Sequence, residues 1–521
     1  MSEHPYPKTA NEPKVHPLVR NSFAFVPSAG MRLAPEILVL ELFREVFFEK
    51  HYESTGTKDL NPDEVDESKS LLYSREERAV LYALRGRRKK TKNSRAQRFF
   101  APAYPVLARA SWLGKNRERV INNFLLGGPI AQHLWYRGPD VEEKKQERDE
   151  TIDLLCKALV GHNSLREDEY RGKDILSVAL KNADFEVNLD RARQNLVSKT
   201  GFSNSVIRIN HDELSTRIFK DVRFICQLEK DLPRMQWLHV LMTFLRFSLP
   251  MWLLAQMRIT SFLDEWLIDA IDNGHIVSAA DIERRISVRN RGLLHPTLTP
   301  TREVFERIEQ YMKHRVELNI LLYCLEGIRP EDIKGKSLDV RAGGSGEISV
   351  ERLLEIAREA SADLRASDRF KDVAPGLDVR RFLTREGELF PAWRNPLLKG
   401  QGKNIDEFLR VMYRAELGDE AGGYLLLPEG RGAGRGFRVF PGQLLLKTIT
   451  YLAARDKHSD GKRGGGGKLV LEDVENHFQQ YGVDFSSAAD ARPLLMREMQ
   501  AMGLLTGSPD AGSSVAVARP Y

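Results

Sequence analysis

Arg85, Arg87, Arg88, Lys89, Lys90, Lys92, Arg95 and Arg98 follow one another with no acid between them, and Phe99, Phe100 and Tyr104 come directly after. Cations beside aromatics suit a surface that tracks a phosphate backbone and offers stacking positions to bases. Lys115, Arg117 and Arg119 extend the same charge. The plainer alternative is a solvated loop whose aromatics re-enter the core. A second set lies near the C-terminus. At about 100° per residue, Arg492, Met496, Arg497 and Gln500 fall on one arc of a helix, opposite Leu495, Met499 and Met502. Arg and Gln can hydrogen-bond base edges in a major groove, where Met makes only apolar contacts. Asp490 and Glu498 flank this arc, and the turn from Gly507 to Gly512 holds no Lys or Arg. Phosphate contacts there would fall to Arg519 and to the loop with Lys457, Lys462, Arg463 and Lys468, or the surface docks on protein instead.

A third run, Arg289-Asn290-Arg291-Gly292-Leu293-Leu294-His295-Pro296, closes a helix before a turn. Its plain reading is a set of cations complementing a helix C-terminus, with His295 packed beside Pro296. His211-Asp212-Glu213 and Asp184-Phe185-Glu186 are local acidic groups of metal-ligating types. Neither is followed by the lysine of the Asp…Glu-x-Lys nuclease pattern, and the first also reads as an N-cap box opening a helix at Leu214. The glycines at 464–467 precede a Lys468 that no Ser or Thr follows, so there is no Walker A loop. No metal and no cofactor is expected.

Composition narrows the class. The 521 residues have room for three or four domains, with 42% hydrophobic and 29% charged residues, as in soluble globular proteins. A net charge of +6 is a weak pointer to polyanions. The three cysteines (Cys156, Cys226 and Cys324) are too dispersed for a disulfide framework or a zinc cluster and read as buried thiols of a reducing cytosol. The N-terminus has no apolar signal-peptide core. Met235–Met257 is apolar, but Arg246 sits in its middle, so it reads as a core helix bent at Pro250 and not as a membrane span.

The elements that must position these residues are mainly helical. Beyond a Pro-rich arm over the first twenty residues, the apolar period predicts helices over Pro35–His51, Arg75–Arg88, Lys115–Leu126 and Val141–Val160, then Leu214–Lys230, Met235–Met257, Ser261–Asp272, Ala279–Val288, Arg302–Cys324 and Val350–Arg365. Residues 202–210 have β character. The run at 342–346 reads as a flexible linker, and the glycine-rich run Gly430–Gly436 separates a Pro/Gly-interrupted stretch from the last unit.

That last unit resembles a winged helix. Leu445, Ile449 and Leu452 mark a first helix, and Val474, Phe478 and Tyr481 a second that stops at Gly482. Asp490 caps a third, and Gly503 leads into short strands at Leu504–Thr506 and Val515–Ala518. The resemblance implies docking on DNA or on protein. The 289–295 run resembles the signature of HEPN ribonucleases, in which an Arg followed by a polar residue precedes a His. That resemblance covers about residues 231–324. It implies cleavage of RNA without metal, with His295 in proton transfer at the ribose 2′-hydroxyl, Arg289 stabilising the phosphorane charge and Asn290 at the polar position.

The expectation is a mainly α, multi-domain chain. It divides into an N-terminal helical domain (1–150, with the basic segment 85–100), a helical bundle (151–335), a linker-rich helical region (336–436) and a winged-helix domain (437–521). The leading functional reading is a cytosolic nucleic-acid-binding subunit, non-catalytic, within a larger bacterial system such as one handling foreign DNA. Its partners would be DNA ahead of RNA, and other protein subunits, with no membrane. The alternative is a HEPN-like ribonuclease of toxin or defence type.

Overall fold

A computed structural model of the protein describes residues 141–160, 207–208, 213–329, 332–333, 348–366, 422–429, 436–459, 468–486, 490–506 and 515–521, with positions 16, 18, 38, 39, 42, 43, 128–130 and 133. The basic run from Arg85 to Arg98, with Phe99, Phe100, Tyr104, Lys115, Arg117 and Arg119, lies outside the described residues. So do the helices expected over 75–88 and 115–126, the acids at 184–186, His211, Asp212, Lys462, Arg463, the linker at 342–346 and the turn at 507–512.

The described residues are mostly helical, with a small antiparallel sheet. Helix α1 (Val141–Val160) occupies the span its periodicity predicts and buries Ile152, Leu155, Cys156 and Leu159 along one stripe. Strand β1 (Ile207–Arg208) is the trace of the β-rich segment. It is followed by α2 (Glu213–Leu228), which packs on α1.

Helix α3 (Arg234–Asn273) joins what the sequence divides into two helices. The sequence divides it between Met257 and Ser261, yet the hydroxyls of Thr260 and Ser261 donate back to the carbonyls of Gln256 and Met257 at 3.0 and 3.2 Å, and the helix runs on. Pro250 lies inside it, and Gly274, at φ 67°, ends it in the left-handed conformation. This helix is long and apolar enough to cross a membrane, but 89% of its most apolar window is buried inside the fold.

Helix α4 (Ala279–Ile286) is capped by Ser278, whose Oγ accepts from the Asp281 amide, and α5 (Glu303–Ile328) packs along α3. Strand β2 (Ile348–Ser349) pairs in parallel with β1. The helix expected over Val350–Arg365 is broken into α6 (Val350–Glu359) and α7 (Ser361–Ala366). The break lets Ser361 Oγ donate to the Ile271 carbonyl, and Arg365 to the carbonyls of Ile271 and Asp272, which have no intrahelical partner at the end of α3.

Strands β3 (Leu426–Glu429) and β4 (Gly436–Val439) flank the glycine-rich run and pair with each other as an antiparallel hairpin. Three helices close the chain: α8 (Gln443–Ser459), α9 (Leu471–Gln480) and α10 (Ala491–Ala501). Val470 bridges Ala516 and Leu505 bridges Val517, both antiparallel, so three short segments align beside these helices. Asp490 makes no side-chain cap bond at α10, contrary to expectation; its backbone is already helical.

Two apolar clusters result. The first gathers α1, α2, the N-terminal part of α3 to Met257, the start of α5 and the segments from Leu425 to Val517. The second holds the rest of α3 from Ile259, α4, the end of α5, α6 and α7. Within the first, Phe247 of α3 meets the rings of Phe478 and Tyr481, and Phe305 stacks on Phe437.

Candidate functional site

On α10 the apolar stripe Leu495 and Met499 is buried, while Arg497 and Gln500 face solvent. Arg497 keeps 76% of its side chain exposed and, among the described residues, meets only its neighbour Glu498, at 4.0 Å. Arg492 is held back by Glu475 of α9 at 2.9 Å, and Met496 is partly buried against the core. The arc drawn from the sequence therefore narrows to Arg497 and Gln500. Lys457, expected as a phosphate contact, donates instead to Asp473 at 2.6 Å and to the Lys468 carbonyl at 2.9 Å. Lys468 and Arg519 are exposed.

The Arg289–His295 run leaves α4 as a turn and then pairs with the segment after α9. Leu293 and Leu294 amides donate to the Gly482 carbonyl at 2.6 and 3.0 Å, and the Asp484 amide donates to Leu294 O at 3.1 Å. Leu293 and Leu294 are fully buried, whereas Arg289, Asn290 and Arg291 are exposed. Pro296 is buried, but His295 is not sealed beneath it: its side chain is 41% exposed, with Nδ1 at 3.3 Å from Glu303 Oε1. The same carboxylate oxygen accepts from Arg307 at 2.8 Å. A Cβ placed on Gly292 would lie 3.2 Å from His295 Nε2, so the ring lies against the turn that bears the arginines. Beneath that turn Arg258 of α3 donates to the carbonyls of Arg291 and Ile286.

A buried ionic network ties α2 to α8 and α9. Asp221 accepts from Arg217 through both carboxylate oxygens, from Tyr481 Oη at 2.6 Å, and lies 3.0 Å from His477 Nε2. Arg217 also reaches Asp456 at 2.6 Å and Gln480 at 3.2 Å. Burial alone would raise the Asp221 carboxyl, but the Arg217 guanidinium and His477 outweigh it and hold it down at about 2. Tyr481 is pushed well above its ordinary value by burial and by Asp221.

Asp264, His314 and Glu317 also come together, buried between α3 and α5 with ligand atoms within 4.8 Å of one another. His314 Nδ1 lies 2.7 Å from Asp264 Oδ2, a hydrogen-bonded pair, with Glu317 Oε2 farther off at 3.7 Å. The sequence shows Arg307 and His314 only as another Arg-to-His spacing, and gives no sign of Arg258 or Asp221. The long-range pairings, 50 residues from His314 to Asp264 and 256 from His477 to Asp221, have no local spacing to mark them. Compared with protein-family models, curated proteins and solved structures, the chain matches none.

Proposed function

We propose that the protein is a non-catalytic nucleic-acid-binding subunit that docks on duplex DNA through a winged-helix unit at its C-terminus. The observation that carries this reading is α10: one face is buried in the core and the other presents Arg497 and Gln500 to solvent. The element order supports it. A helix, a bridged segment at Val470, two helices and two antiparallel segments at 505 and 517 follow one another as the winged-helix resemblance requires. Arg and Gln are side chains that bond base edges, each good pair contributing about 1–3 kcal/mol of discrimination. The reading is tested by fluorescence anisotropy with a labelled duplex. Arg497→Ala with Gln500→Ala should weaken binding at least roughly tenfold, which is about 1.4 kcal/mol. Unchanged affinity would discard α10 as the docking element.

The HEPN-like ribonuclease reading is favoured by one observation. His295 is accessible, has a carboxylate at Nδ1, and lies against a turn whose Arg289 has no acidic partner among the described residues. Under it, expression of the wild type slows growth and expression of His295→Ala does not.

A further inference from the structure

The turn after α4 rests on the Arg258 guanidinium, whose two bonded acceptors carry no charge. Arg258 spends Nη1 on Arg291 O at 2.5 Å and Nη2 on Ile286 O at 2.8 Å. Both acceptors are neutral carbonyls, so neither offsets its charge. Among the described residues, the carboxylate that Arg307 reaches, Glu303, is shared with His295. Arg291 is exposed and forms no ion pair among the described residues. The Nε–H groups of Arg258 and Arg307 are both buried without an acceptor there, although buried donors in folded proteins are ordinarily satisfied. Burial, with Arg307 and Arg291 pressing on it, brings the Arg258 guanidinium down to about 10. Of the other acids near the turn, Glu213 accepts from Ser287 Oγ, and Asp484 accepts from the Ser486 amide and hydroxyl.

We propose that Arg258, Arg291 and Arg307 form an oxyanion site that takes a backbone phosphate of a nucleic-acid strand. The missing component is an acceptor with several oxygens and negative charge, and guanidinium forks match phosphate better than any neutral ligand. Arg291 is exposed, and Arg289, exposed on the same turn, continues the charge. A polymer with a charge at every residue fits that layout better than a single enclosed ion. The site is distinct from the α10 face and deepens the nucleic-acid reading, on which it rests.

The test uses the full chain and a short labelled mixed-sequence duplex. Arg291→Gln with Arg307→Gln should lower affinity about tenfold and reduce the slope of log affinity against log salt by about 1–2. Arg291→Lys should retain most of the affinity. The exposed single variant Arg291→Gln, checked by circular dichroism and melting temperature, guards against an effect of misfolding and should itself lower the slope by about 1. Inorganic phosphate should raise the melting temperature of the wild type above that in chloride at equal ionic strength, and should not do so for the double variant. An unaltered duplex affinity and slope overturns the site. Stabilisation by phosphate with unaltered duplex affinity overturns the strand as its source in favour of a free phosphate. If Arg497→Ala/Gln500→Ala weakens the duplex and the arginine variants do not, the proposal falls while the docking reading stands. A wild type that binds no duplex removes both.

Discussion

Asp221 is the side chain on which most of the buried polar structure converges. Replacing it with Asn keeps the shape but leaves the Arg217 guanidinium underneath without its main counter-charge, and removing one partner of a buried pair costs about 3–5 kcal/mol. Urea denaturation of Asp221→Asn at neutral pH should show a loss of that order; a loss well below about 1 kcal/mol would contradict the network. The pH dependence has a definite sign. The folded carboxyl sits at about 2, below its usual 3.8, so its stabilisation is complete above about pH 4 and disappears as pH falls toward 2. That depression corresponds to about 2 kcal/mol, which the wild type should lose over this window and Asp221→Asn should not. The i,i+4 spacing of Arg217 and Asp221 is local, but by itself it looks like a solvated surface pair; the burial and the partners His477 and Tyr481, 256 and 260 residues on, were not legible. The 289–295 run, by contrast, was visible from spacing alone, whereas Arg258 and Arg307 beneath it come from other helices and carry no local signal.

Gly482 shows what an element boundary can contribute. It ends α9 at φ 80°, and a Cβ there would lie 2.8 Å from Leu293 Cγ. Gly482→Ala therefore combines a left-handed backbone with a clash, together about 2–4 kcal/mol. A thermal melt of this variant should fall by several degrees, and amide exchange at Leu293 and Leu294 should speed up. An unchanged melt would mean that the segments yield freely. The sequence marked Gly482 as a stop, since glycine after an apolar period is a local signal. It could not show that a second segment leans on that glycine. The single α3 was hidden for the converse reason: Thr260 and Ser261 have two uses for their hydroxyls, and packing on both sides selects the bond back to the preceding turn. The fold was thus readable where apolar period alone decides, as in α1, and not where tertiary partners choose between local options.

At the scale of the molecule, the last helices are not an appendage. Leu445, Ile449, Phe478 and Tyr481 share one apolar cluster with Phe244 and Phe247 of α3. A chain ending after Val439 would uncover that face, a patch of the kind that drives aggregation. Such a truncation should bind a hydrophobic dye strongly or precipitate, and a soluble fragment with a cooperative melt would show that the cluster is dispensable. Under the proposed docking on DNA, the shared cluster would pass any load on α10 into the helical body.

Helix α3 spans 40 residues, about 60 Å at 1.5 Å per residue, and enters both apolar clusters, the first up to Met257 and the second from Ile259. It works as a common axle. Close-packed interiors pass strain on instead of absorbing it, so a twist imposed on one cluster would reach the other along this helix. A glycine pair inserted near Ser261 should loosen that link, acting as a clutch between the two clusters.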